Sequence, residues 1–193
     1  MSVCHKHTSL RCSQFEHIRL KCGLTGKEIA RRVILPVQVH IIKTRHSYYQ
    51  PHSKTIGLTG KVYDGNSLTA AAVAIHEAGH ALQFNAVSKN GWIGQVVAQI
   101  AISIGILGML HLFGDDREMR RALISACSLE CLFAYLLCVL EVDASRRGIT
   151  AARNMLATEE IMPIRKLLKS AAATYAGAAL AATGRLIFVL LSQ

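Results

Sequence analysis

The sequence predicts a mainly α, membrane-embedded protein with a small β hairpin or sheet ahead of a metal-binding helix. Three observations carry this. A His-x-x-x-His pair lies in an Ala-rich, proline-free run over residues 68–85. Two later stretches, 90–114 and 122–140, are almost free of charge and long enough to cross a bilayer at about 1.5 Å per residue. β-branched residues gather upstream of the motif, between residues 32 and 62. Composition agrees, with 51% hydrophobic residues. A chain of 193 residues suits one domain rather than several, expected over 23–193.

Residues 1–22 are polar and basic, with His5, His7, His17, Cys4, Cys12 and Cys22. They hold no apolar run, so they are expected to form a basic tail rather than a signal peptide or a span. The Cys and His spacings there match no zinc motif. Residues 23–32 read as a short helix, with Thr25 as N-cap and Glu28 completing a capping box. Val33, Ile34, Val37, Val39, Ile41 and Ile42 mark a first strand candidate over 32–43, and 54–62 is a second.

The helix over 68–85 contains His76-Glu77-Ala78-Gly79-His80. Positions i and i+4 share a helix face, so both imidazoles can address one metal ion. Glu77 projects about 100° away, where it can reach a water beside the metal. This HExxH spacing is that of zinc hydrolases: two ligands and a general base. A buried helix with two satisfied histidines is the plainer alternative.

A hydrolytic zinc needs a third protein ligand and an open fourth position. Spans at 92–113 and 122–140, joined by the polar loop 115–121, make a transmembrane hairpin that returns to the motif side. The first acidic residues met on return are Glu141 and Asp143. His111 lies at the far end of the first span, about 30 Å away. Glu130 lies about 16 Å deeper than Glu141 on the same helix. His40, His46 and His52 lie on the motif side and stay open as alternatives to Glu141. A third span is expected over 170–191, where Arg185 needs a partner and Glu130 is the natural one. Cys127, Cys131 and Cys138 form a stripe on the second span and suit apolar packing rather than disulfides.

The residues quoted so far, with four separated segments, resemble the membrane-associated neutral zinc metallopeptidases of the YugP type. The segments are Thr25-Gly26-Lys27-Glu28-Ile29-Ala30-Arg31, the stretch from Gly65 through His76 to Gln83, Glu141-Val142-Asp143-Ala144-Ser145-Arg146-Arg147, and Ala171-Ala172-Ala173-Thr174-Tyr175. They occur in the family's order between Thr25 and Leu191. Two departures stand out: residues 1–22 show no apolar run where family members usually carry an extra membrane helix, and Tyr48-Tyr49-Gln50-Pro51 stands where the family often shows an "HYDP"-like patch. The resemblance implies a zincin-like, zinc-dependent peptidase embedded in the membrane, and Glu141 with Ala144 satisfies the E-x-x-A pattern of glutamate-ligand families.

The expected function is therefore peptide-bond hydrolysis, with one Zn²⁺ per chain on His76, His80 and Glu141 and with Glu77 as general base. Asp143 or Ser145 would orient a ligand. Thr55, Ile56, Gly57 and Leu58 would receive the peptide or protein substrate as an added strand. Tyr48, Tyr49 and Tyr63 are oxyanion-donor candidates by residue type alone. A catalytically silent membrane scaffold and a metal transporter are the alternatives. The net charge of +10 is scattered and carries no nucleic-acid motif, so lipid headgroups are the expected partner and nucleic acid is not. The excess of Lys and Arg on the motif side is expected to place the site on the cytoplasmic side of the membrane, and the resemblance implies a bacterial cell membrane. Nothing in the sequence speaks to oligomeric state.

Overall fold

Helices dominate the fold, and one small sheet sits ahead of the motif helix. A computed structural model describes residues 14–35, 37–87 and 116–191. The expected span over 92–113, and with it His111, lies outside them, as do Cys4 and Cys12.

Helix α1 (Gly26–Val33) starts where its sequence says it should. The Thr25 side chain accepts from the Glu28 N–H, and Glu28 reaches back to the Thr25 N–H at 2.8 Å. Ile29, Ala30 and Val33 are its buried face. Three strands follow: β1 (His40–Thr44), β2 (Tyr48–Gln50) and β3 (Thr55–Thr59). Sheet order is β1-β3-β2. β3 runs parallel to β1, with Ile41 opposite Ile56, and antiparallel to β2, with Tyr49 opposite Ile56. Ile56 and Leu58 are fully buried.

This order corrects two expectations. The first strand begins only at His40, because residues 32 and 33 finish α1. Thr55–Thr59 is the middle strand, so its backbone is bonded from both sides. The Thr59 N–H, beyond the end of β2, donates to Ser47 Oγ at 3.2 Å. Of the expected substrate-strand residues Thr55, Ile56, Gly57 and Leu58, the first three are paired with both neighbours and have no free edge on which a peptide could be laid, and Leu58 is paired with β1. The free edges belong to β1 and β2.

A one-turn helix α2 (Gly60–Tyr63) leads to α3 (Leu68–Val87), the motif helix. Ser67 caps it, its hydroxyl accepting from the Ala70 N–H at 3.1 Å. Ala71, Ala74, Ile75, Ala78 and Ala81 have no exposure at all, which places α3 in the centre of the core. Helix α4 (Asp116–Ala152) carries the expected second span and then Glu141. A 3₁₀ turn (Arg153–Met155) joins it to α5 (Thr158–Leu191). Buried Glu160 anchors the start of α5: it accepts from the Ala157 N–H at 2.8 Å and from the Lys21 N–H at 2.6 Å.

The single domain expected over 23–193 divides into two compact units. The first takes residues up to 89 and 141–173, and the second takes 90–140 and 174–193. The sheet, α1, α3, Glu141 and the start of α5 belong to the first. In the second, the apolar parts of α4 and α5 are long and hydrophobic enough to cross a membrane. There Arg185 forks onto Glu130, with Nε donating at 3.1 Å to Oε2 and a second bond from Nη2 to Oε1. Cys131 and Tyr135 both meet the Thr183 hydroxyl at 3.3 Å.

Candidate metal centre

Two helices must come unusually close to bring Glu141 to the motif, and two glycines allow it. A Cβ on Gly79 would stand 2.0 Å from the Ala144 carbonyl oxygen. One on Gly148 would stand 2.1 Å from the Ile75 carbonyl oxygen. Backbone therefore packs on backbone between α3 and the end of α4. Ala144, fully buried, completes the contact.

At this crossing the ligand atoms of His76, His80 and Glu141 all lie within 4.8 Å of one another. Among the described residues they are the only such group of three His, Cys, Asp or Glu side chains. His40, His46 and His52 do not join it. His76 Nε2 is 3.1 Å from Glu141 Oε2, and His80 Nε2 is 3.6 Å from Glu141 Oε1. The two rings meet edge to face, centroids 4.7 Å apart.

The close approach of His76 Nε2 to Glu141 Oε2 is not a hydrogen bond. Both atoms are buried and neither has a hydrogen-bond partner among the described residues. Buried orphans of this kind are costly unless something else satisfies them. A divalent cation between the three side chains would take up these lone pairs. Donors around a tetrahedral zinc with bonds of about 2.0–2.2 Å stand roughly 3.3–3.6 Å apart, close to the two distances from the histidines to Glu141. The residues fit the metal in donor chemistry, and all three ligand atoms lie within 4.8 Å of one another.

The far side of each imidazole is held as well. His76 Nδ1 lies 3.0 Å from Ser145 Oγ. His80 Nδ1 lies 3.3 Å from Gln83 Oε1. Gln83 Nε2 donates in turn to Asp143 Oδ2 at 2.9 Å, and Arg147 Nε donates to the same oxygen at 2.6 Å. A proton on each Nδ1 leaves both Nε2 lone pairs facing Glu141. The sequence points to Asp143 and Ser145 as orienting residues but misses Gln83, which stands between Asp143 and His80. Its signal is visible afterwards: Gln83 is three residues past His80, on the same helix face.

Glu77 is 3% exposed. Burial pushes its carboxyl up from the ordinary value, while the neighbouring imidazoles of His76 and His80 pull the other way. Burial also opposes a charge on His80, but Glu141 beside it outweighs this and raises its pKa.

Tyr63 is engaged elsewhere: its ring carries the ammonium of Lys27 at 4.8 Å and that of Lys43 at 5.5 Å. Tyr48 covers Gly57, where a Cβ would fall 2.6 Å from its ring. Tyr49 instead packs on Phe84, centroids 5.8 Å apart, one turn beyond His80. A cleft of about 640 Å³ is lined by residues 44–50, from the end of β1 through β2.

Comparison with known proteins gives the family. The chain matches the family described as "putative neutral zinc metallopeptidase" over residues 2–193. It is 30% identical, over 92% of its length and 85% of the relative's, to a protein of Bacillus subtilis (strain 168) named "putative membrane protease YugP". No solved structure matches it. With a family match over nearly its whole length, and with a His-His-Glu group that could hold a metal, the chain belongs to the neutral zinc metallopeptidase family so described.

Proposed function

We propose that this protein is a zinc-dependent membrane peptidase whose metal is held by His76, His80 and Glu141. The observation that carries the reading is the pair of buried, unpartnered atoms, His76 Nε2 and Glu141 Oε2, turned toward each other with His80 alongside. When bound, zinc supplies Lewis acidity, polarising a peptide carbonyl and making a nearby water more acidic. Glu77 accepts the proton of the attacking water and returns it to the leaving amine. Its burial suits that role, since a carboxyl raised toward neutrality both takes and gives protons readily. Ser145 holds His76, and the Gln83–Asp143–Arg147 chain holds His80, so that neither ring turns away during the reaction. The substrate lies along the free edge of β2, because β3 is closed on both sides and β2 reaches the motif helix through Tyr49 and Phe84.

Two observations weigh against the alternatives. A purely structural metal site has no use for a buried carboxyl at position 77. A transport pathway would need free intramembrane ligands, and Glu130 is held by Arg185. The test is Glu77→Gln, assayed on a mixture of internally quenched peptides. The variant is expected to keep its zinc and its fold and to lose roughly 10²–10⁴ in rate. Undiminished cleavage would refute the role of Glu77.

A further inference from the structure

Helix α5 changes character along one face. Met162, Arg165, Lys166 and Lys169 recur at helical spacing and are all exposed, while Ile164, Leu167 and Leu168 on the opposite face are buried. The same face continues through Ala173, Ala176, Gly177, Leu180, Gly184, Ile187 and Leu191, all exposed. It is basic at first and wholly apolar from residue 173 onward. No acidic residue stands three or four positions from Arg165, Lys166 or Lys169. Among the described residues none of the three enters an ion pair. Nearby Glu159 is engaged by Lys21, and Glu160 is turned inward to backbone N–H groups.

We infer that Arg165, Lys166 and Lys169 form a docking stripe for the phosphates of anionic phospholipid headgroups. The lengths agree with a bilayer. Residues 170–191 span about 33 Å, against a hydrocarbon core of about 30 Å. Arg165 to Lys169 covers about 6 Å of helix axis, close to the depth of one headgroup layer. Met162, 58% exposed, precedes the stripe on the same face. The stripe therefore meets lipid phosphate just where α5 leaves the hydrocarbon. This surface is independent of the chemistry at the metal centre, and its test does not depend on peptidase activity.

The experiment uses the full chain in a neutral detergent with mixed micelles of phosphatidylglycerol or phosphatidylcholine, lipid retention being read by native mass spectrometry. Wild type is expected to retain phosphatidylglycerol in preference, and the preference to fall as salt rises. Lys166→Gln should cut it by roughly fivefold, and the combined Arg165→Gln, Lys166→Gln, Lys169→Gln variant by tenfold or more. A charge-keeping variant, Arg165→Lys with Lys166→Arg and Lys169→Arg, should retain it. Free glycerophosphate at the same concentration should not compete. An unchanged preference in the triple Gln variant, loss in the charge-keeping one, or full competition by glycerophosphate would overturn the proposal.

Discussion

Gln83 decides which nitrogen of His80 is free. Its carbonyl oxygen lies 3.3 Å from His80 Nδ1, and its amide group is fixed by Asp143 at 2.9 Å. With the oxygen facing the ring, Nδ1 carries the proton, and in the neutral ring Nε2 keeps its lone pair. Gln83→Leu removes this constraint and leaves Asp143 to Arg147 alone. Zinc affinity should fall by about 10–100-fold, the usual loss when such a supporting partner goes. A competition titration against a zinc chelator measures this, and an unchanged affinity would remove Gln83 from the account. Ser145→Ala should act on His76 in the same direction. The histidines and Glu77 were legible because the helix period alone relates them. Gln83 was not, since its partner Asp143 lies sixty positions away in sequence.

Between elements, the decisive fact is how near α3 and α4 come. The carbonyl oxygens of Ala144 and Ile75 occupy the places where side chains on Gly79 and Gly148 would begin. Gly79→Ala or Gly148→Ala must push the helices apart, with a cost of about 1–3 kcal/mol as in other overpacked cores. The larger effect should fall on Glu141, which moves away from the histidines. Both variants should lose thermal stability and bind zinc more weakly. Gly177→Ala is the control: nothing lies within 4 Å of its Cβ position, and Ala favours a helix by up to about 1 kcal/mol. It should leave zinc affinity untouched. A neutral Gly79→Ala would contradict the close packing. A small-x-x-x-small pair, Ala144 and Gly148, stood in the sequence as a hint of this contact. The sheet was less legible. Three residues of β2 are too few to show alternation, and a parallel β1–β3 pairing across so short a connection has no signature in the local pattern.

At the scale of the molecule, the apolar lengths of α4 and α5 were plain from composition, because a bilayer demands uninterrupted hydrophobic runs. So was the Glu130–Arg185 pair, since two charges left alone in hydrocarbon would each cost at least about 2.5 kcal/mol. Glu130→Ala and Arg185→Ala should each lower the melting temperature in detergent, and the double change should cost less than the two losses added. Strictly additive losses would mean the pair contributes nothing. Orientation across the membrane is a separate proposal, resting on the basic residues near Glu141 and Lys169. Exposed Cys22, kept as the only cysteine, should react with a membrane-impermeant maleimide only after the cells are opened. Labelling in intact cells would reverse the orientation. The account of the site itself depends on a metal being where the unpartnered atoms of His76 and Glu141 converge. The direct measurement is the zinc content of purified wild type, His76→Ala, His80→Ala and Glu141→Ala. Roughly one zinc per chain in wild type is predicted, with loss in both histidine variants and a reduced content in Glu141→Ala. Full zinc occupancy in Glu141→Ala would contradict the assignment of the third ligand.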